Sequence, residues 1–327
     1  MRHTTFVPGS RIIGIGHYQP ERVLTNHELA AMVDTTDEWI QTRTGIRTRH
    51  IARDDESVPE LATNAARHAL ADAAREIDDI DMIIVASTSM LDHSPNAAGR
   101  VAAALGARSP VIIDVNVACS GFEHAMALAD SSIRAGSVRT VLVIGAEKLS
   151  GITDWTDRST CVLTADGAGA FVLTAADEPR VGPVVWGSEP TLSHAIEVEM
   201  PQNHFTQDGR AIFRWAITQA AGHARAAVEQ AGLTLEQIQV FVPHQANLRI
   251  IEPLAKQLGF ESKIVVTDVI ESGNTSAASI PLGLSKWWHA GKIPADAPTL
   301  LFGFGGGFAY AGQVVMTPET APVLMQS

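Results

Sequence analysis

The chain has 327 residues, 46% hydrophobic and 18% charged, enough apolar content to bury a large core as one big domain or two fused halves. Its 36 acidic and 24 basic residues leave a formal net charge of -12, which argues against a nucleic-acid surface, since that needs a basic patch. No apolar run approaches the ~20 residues of a membrane span and no signal-peptide pattern opens the sequence. Two cysteines are too few for a disulfide scaffold, and no metal-ligand spacing stands among the 12 histidines. The expectation is a cytoplasmic protein with no metal and no membrane or nucleic-acid contact.

Strand-like and helix-like segments alternate along the chain, the pattern of a largely parallel sheet with crossover helices. Strands are expected at 82–86, 111–115 and 140–145, helices at 96–105 and 122–134, and a final antiparallel-looking strand at 169–174. Residues 178–211 carry Pro183, Pro190, Pro201, Asn203 and Asp208-Gly209, the punctuation of a connection and surface loops. The order then returns: strand 240–242, helix 248–258, strand 264–266, a helix opening near Asn274, strands 299–303 and 312–316. Ser120-Gly121 echoes Ser272-Gly273. Such a repeat predicts two stacked α/β halves with pseudo-twofold symmetry, residues 1–177 and 178–327, their equivalent strand ends converging on one site.

Three polar groups stand at equivalent junctions of the repeat. Cys119, in Val117-Ala118-Cys119-Ser120-Gly121-Phe122, falls where a strand meets a helix. The orphan N–H groups and positive dipole of a helix start favour the nucleophilic thiolate. A buried structural cysteine is an equal reading of that stretch by itself. His244 follows the apolar run Val240-Phe241-Val242-Pro243, and Asn274 follows Ile264-Val265-Val266 at the start of a small-residue helix. Singly they read as a structural histidine and a helix cap. Open α/β sheets, however, place ligands outside the carboxyl ends of their strands, so the three read together as one site. Cys161 reads as a small hydrophobe inside a strand.

With this trio come Asp37-Glu38-Trp39-Ile40, Arg43-Thr44-Gly45-Ile46, Asp157-Arg158, Asp166-Gly167-Ala168-Gly169-Ala170, His244-Gln245-Ala246-Asn247-Leu248-Arg249-Ile250 and Gly303-Phe304-Gly305-Gly306-Gly307-Phe308. In that order, along nearly the whole chain, they resemble the 3-oxoacyl-(acyl-carrier-protein) synthase III family, decarboxylating condensing enzymes of the thiolase superfamily. The resemblance implies an α/β fold of five layers, α-β-α-β-α, built from two duplicated halves. It also implies acyl transfer from acyl-CoA to Cys119, then condensation with malonyl-acyl-carrier-protein. His244 and Asn274 would donate hydrogen bonds to the enolate oxygen, and the backbone N–H groups of Cys119 and Gly306 would form a second oxyanion hole.

The same resemblance places Trp39 and Arg158 on opposite faces of the adenine of coenzyme A, Arg43 and Arg249 on its phosphates, and Thr35 and Thr44 at nearby hydrogen bonds. Gly209, Phe213, Ala246 and Asn247 would line the pantetheine tunnel. Arg214, Arg249 and Lys256 would dock an acidic carrier protein. Acyl-CoA is thus a substrate, with no cofactor bound permanently. Ser94, from the partner of a homodimer, occupies the position where acetyl-preferring members carry a bulky Phe, which implies room for longer or branched starters and a fatty-acid or specialised polyketide role. The region 190–206 is shorter than in typical relatives.

Among rivals, a thiolase would carry a second cysteine in the final glycine-rich segment, where Gly303 to Phe308 has none. A plant-type polyketide synthase would be longer, with Pro where Gly306-Gly307 stands. An acyltransferase working without decarboxylation is the alternative, but it has no use for an enolate donor such as Asn274. A catalytically silent scaffold would not need the intact trio.

Overall fold

The structure is a computed structural model that describes residues 6–322; the outermost residues of the two expected halves, 1–5 and 323–327, lie outside the described residues. In chain order the first part contains β1 (Gly9–Tyr18), β2 (Arg22–Thr25), α1 (Asn26–Ala30), α2 (Asp37–Thr44), β3 (Thr48–Ile51), α3 (Val58–Asp72), β4 (Met82–Ala86), α4 (Ala97–Leu105), β5 (Val111–Val115), α5 (Gly121–Arg134), β6 (Thr140–Lys148), α6 (Arg158–Cys161) and β7 (Asp166–Ala176). The second contains β8 (Val185–Ser188), β9 (Ile196–Glu199), β10 (His204–Gln207), α7 (Gly209–Thr218), α8 (Ala220–Gln230), β11 (Val240–Pro243), α9 (Leu248–Gln257), β12 (Ile264–Val265), α10 (Val269–Ser272), α11 (Ser279–His289), β13 (Pro298–Phe304) and β14 (Ala309–Met316).

Two five-stranded sheets repeat one another. The first has the order β1-β7-β6-β4-β5 and the second β8-β14-β13-β11-β12. In both, the last three strands run parallel and the first three pair antiparallel. The expected duplication is therefore present, with a strand in each copy, β1 and β8, that the hydrophobic pattern did not disclose. In β1 the apolar run is interrupted by Gly14 and Gly16, and packing explains them. A Cβ on Gly16 would lie 2.1 Å from the Ala69 nitrogen of α3, so only glycine lets this alanine-faced helix approach the strand.

One further expectation is corrected. Residues 178–211 are not only connection and loops: they form the edge strand β8 and the small antiparallel pair β9–β10, four-residue strands too short for a periodic signal. Strand 111–115 forms where expected, with the apolar residues Val111, Ile112 and Ile113. Yet β5 is an edge, with Val111 46% and Ile112 42% exposed.

The layers follow from which faces are apolar. Helices α3 and α4 cover one face of the first sheet, α5 and α11 lie between the sheets, and α7, α8 and α9 cover the far face of the second. Strands β4 and β6, sandwiched on both sides, are almost continuously buried. Across the central layer Phe122 of α5 meets Phe171 of β7 edge-on, ring centroids 4.9 Å apart, which adds about 1 kcal/mol to the burial of both rings. This α-β-α-β-α stack is the expected fold class, and it points the ends of β4, β5, β11 and the loop after β12 into the middle of the molecule. Cys161 ends the short helix α6 rather than lying in a strand, and it is fully buried in a small apolar cluster with Ile40 and Ile251.

Candidate functional site

Each half delivers its site residues on the same local device. After β5 the chain makes one turn of 3-10 helix, Ala118–Ser120, that opens α5; after α10 the turn Ser276–Ala278 opens α11. The two turns pack together, a Cβ on Gly121 falling 3.5 Å from that of Ala277. Cys119 rides on the first turn, Asn274 stands just before the second, and His244 follows β11. All three are buried. The glycine segment after β13 closes over the cysteine: a Cβ on Gly305 would sit 2.9 Å from both the nitrogen and Sγ of Cys119, and one on Gly306 2.8 Å from the Ala118 Cβ. Phe304, just before it, meets the His244 ring edge-on at 6.3 Å. The structure thus brings Cys119, His244, Asn274 and Gly306 to one place.

Hydrogen bonds set what each group offers. The Asn274 backbone is pinned to the segment before β7, its N–H donating to the Leu163 carbonyl (2.8 Å) and its carbonyl accepting from Ala165 (2.9 Å). Its Oδ1 accepts from the Ser276 N–H at 2.8 Å, which leaves Nδ2 as the free donor. The His244 Nδ1 lies 2.7 Å from the Ser279 hydroxyl, leaving Nε2 for the site. Burial pulls the imidazole down to about 3, so the ring is neutral at physiological pH.

Cys119 departs from the expectation of a stabilised thiolate. Burial pushes the thiol up to about 12; the neighbouring Ser276 hydroxyl opposes this, while the carboxyls of Glu147 and Glu123 reinforce it. No cation among the described residues compensates, so the thiol is neutral at physiological pH. Sequence reasoning missed the supporting residues. Glu147, at the end of β6, accepts from Ser89 Oγ (2.5 Å), Ser89 N (3.0 Å), Thr88 N (3.1 Å), Ser87 Oγ (3.2 Å) and Ala277 N (3.4 Å). Ser276, Ser279 and Phe304 were missed as well. Their partners lie far along the chain, so no local pattern marks them.

The residues expected around coenzyme A gather where α2, α6, α7 and α9 begin or end. Asn247 caps α9 through its Oδ1 on the Arg249 N–H (2.9 Å) and donates from Nδ2 to the Arg43 carbonyl (3.2 Å). The Arg249 guanidinium lies 5.5 Å over the Phe213 ring. Ala246 is half-buried beside them and Gly209 opens α7 in the exposed layer. The Arg158 guanidinium sits 4.8 Å over the Trp39 ring and donates to the Asp34 carbonyl (2.8 Å). The two groups stack directly on each other, so the expected sandwich requires the guanidinium to move off the ring before a base can enter. Thr44 is corrected, because its buried hydroxyl donates to Ile40 O (2.7 Å) and accepts from Ile46 N (3.0 Å), ending α2 rather than facing a ligand. The Thr35 hydroxyl oxygen is buried without a partner.

Arg214 on α7 and Arg249 and Lys256 on α9 are all exposed. Ser94 is exposed in the segment between β4 and α4, held beside β5 by Asp114, which accepts from Ala97 N (2.7 Å) and Ala98 N (2.8 Å). Among the described residues no His, Cys, Asp and Glu cluster is arranged to hold a metal, and no helix is long and apolar enough to cross a membrane.

Comparison with known proteins agrees with this geometry. The family described as 3-oxoacyl-[acyl-carrier-protein (ACP)] synthase III matches residues 113–190, and its C-terminal family matches residues 228–317. The chain is 55% identical over 313 residues to beta-ketoacyl-[acyl-carrier-protein] synthase III 2 of Streptomyces avermitilis, covering 95% of this chain and 99% of that one. Its structure superposes on the priming β-ketosynthase of a polyketide biosynthetic pathway with a TM-score of 0.94 at 39% identity, covering 98% and 99% of the two chains. It superposes on 3-oxoacyl-(acyl carrier protein) synthase III of Pseudomonas aeruginosa with a TM-score of 0.92 at 37% identity, covering 96% and 100%. With the duplicated sheets and the buried Cys-His-Asn site, these matches show that the chain belongs to the 3-oxoacyl-(acyl-carrier-protein) synthase III family.

Proposed function

We propose that the protein condenses an acyl-CoA starter with malonyl-acyl-carrier-protein through an acyl-Cys119 intermediate, initiating fatty-acid or polyketide chain synthesis. The Cys119 sulfur attacks the acyl-CoA carbonyl, coenzyme A departs, and the thiol proton ends on the departing sulfur. Malonyl thioester then loses carbon dioxide. The electron pair of the broken C–C bond moves onto the thioester oxygen as an enolate, which His244 Nε2–H and Asn274 Nδ2–H stabilise. Preorganised donors in such a dry site contribute roughly 3 to 4 kcal/mol each. The enolate carbon attacks the acyl-Cys119 carbonyl, whose oxyanion is held by the Cys119 and Gly306 N–H groups, and collapse expels the thiolate.

The observation that supports this reading is the Asn274 amide, whose oxygen accepts from the Ser276 N–H, which leaves its Nδ2 hydrogens free to donate. Acyl transfer alone has no use for it. In the test, mass spectrometry follows self-acylation and product formation follows condensation. His244→Ala and Asn274→Ala should lower condensation about 100-fold or more while self-acylation survives. Equal loss of both steps would mean that these residues mainly activate Cys119, and the division of labour fails.

Coenzyme A would enter past Arg43, Phe213, Ala246, Asn247 and Arg249, with Arg158 swinging off Trp39 to admit the adenine. An acidic carrier would dock on Arg214, Arg249 and Lys256. We further propose a cytoplasmic homodimer joined along β5, whose exposed apolar edge invites pairing with a second copy, each Ser94 walling the partner's acyl pocket. Residues 1–177 and 178–327 would be the two structural halves.

A further inference from the structure

Ser279, the first residue of α11 and 2% exposed, is assigned no role by the reading above, on which the following rests. Its hydroxyl oxygen touches two groups: His244 Nδ1 at 2.7 Å and the Gln245 N–H at 3.2 Å. The Gln245 N–H can only donate, so it occupies a lone pair of the hydroxyl, and the hydroxyl proton has one acceptor in reach, Nδ1. That contact defines the tautomer. With a lone pair at Nδ1, every polar group is satisfied and the ring proton sits on Nε2. With a proton at Nδ1, Ser279 would receive two N–H groups and its own proton would be stranded in a buried site, a mismatch that shifts the tautomer ratio by roughly 10- to 100-fold.

The frame around the pair is rigid. Gln245 is 1% exposed; its Nε2 donates to Pro243 O (2.7 Å) and Val266 O (3.0 Å), and its Oε1 accepts from Val269 N (3.0 Å). The loop carrying His244 is thereby fastened to the loop after β12, and the N–H that meets Ser279 has a fixed position. The equivalent of Ser279 in the first copy, the residue that follows the 3-10 turn, is Gly121, and nothing there corresponds to the imidazole.

We infer that Ser279 is a positioning residue that holds His244 as the Nε2–H tautomer, so that the imidazole donates to the developing enolate from a neutral ring. The side chain meets no reacting atom.

The test reads the tautomer directly. Long-range proton–nitrogen NMR of the full-length protein, with the His244 ring assigned by its loss in His244→Gln, should show Nδ1 bare and Nε2 protonated; Nδ1 protonated in the unsubstituted protein overturns the inference. Ser279→Ala should mix the tautomers and lower the condensation kcat about 10- to 100-fold, less than removal of an oxyanion donor, with KM and self-acylation little changed. Ser279→Thr, which keeps the hydroxyl, should restore both signal and rate. Equal loss in acylation and condensation, or a tautomer unchanged in Ser279→Ala, also overturns it. If instead His244→Gln condenses normally, the functional reading fails while the tautomer assignment stands on the spectrum.

Discussion

Ala118 and Ser276 are counterparts across the duplication: each is the first residue of a single 3-10 turn, each takes a left-handed backbone (φ 43° and 45°), and each leads into a central helix. For residues with a side chain this costs roughly 1 to 3 kcal/mol. It aims Cys119 at one side of the seam and the Asn274 turn at the other. Ala118→Gly should therefore raise the thermal unfolding midpoint, while Ala118→Val, branched where left-handed backbone is least tolerated, should lower it. A lower midpoint for the glycine variant would show that the turn is unstrained.

Cys119→Ala should abolish the acyl-enzyme mass adduct and keep the fold, while Cys161→Ala keeps the adduct. Because burial holds the Cys119 thiol up to about 12, alkylation of the free protein by iodoacetamide should be slow at pH 7 and quicken steadily above pH 9. A persistent adduct in Cys119→Ala would sink the nucleophile assignment.

Glu123, one turn beyond Cys119, has both carboxyl oxygens buried without partners, and burial pushes it up to about 8. The folded state then binds a proton that the unfolded chain releases above its ordinary carboxylate value. Stability attributable to this residue is full below about pH 4.5 and falls as pH rises toward 8. Glu123→Gln should thus stabilise the protein increasingly between pH 5 and 8, by at most about 4 to 5 kcal/mol. Parallel unfolding curves across that range would refute it.

Arg249 and Lys256 lie two turns apart on α9, on one exposed face. Lys256→Glu should raise the KM for carrier-bound malonyl substrate with a marked salt dependence, leaving self-acylation by acyl-CoA nearly unchanged. An unaltered carrier KM at low salt removes this face from the docking surface.

If Ser94 closes the partner's acyl pocket, Ser94→Phe should depress acylation by longer or branched acyl-CoAs by about 10- to 200-fold while sparing acetyl-CoA. Light scattering should give a dimer. A monomer, or equal loss at every chain length, places the end of the pocket elsewhere.

The site was legible in the sequence wherever chemistry sits on a junction. Cys119, His244 and Asn274 each follow a strand with a plain apolar signature, and their shared position in the repeat set them together. What was not legible depends on distant partners or on depth. Ser279 meets His244 from 35 residues away and Ala277 meets Glu147 from 130, so neither pair leaves a local pattern. β5 has the residues of a buried strand and the position of an edge, because burial is set by strand order rather than by composition. The thiolate expectation at Cys119 failed for a related reason: a helix start is visible in sequence, but the dry pocket that opposes it is not.

Glu147 receives hydrogen bonds from Ser87, Thr88 and Ser89 of the first copy and from Ala277 of the second. One carboxyl is thus common property of both repeats. A substitution on either side of this carboxyl would therefore have to be accommodated on the other, so the two repeats are mechanically coupled at their seam. Their outer helices and loops carry no such constraint, and there the copies differ: one presents Arg249 and Lys256 on α9 and the other the segment around Ser94.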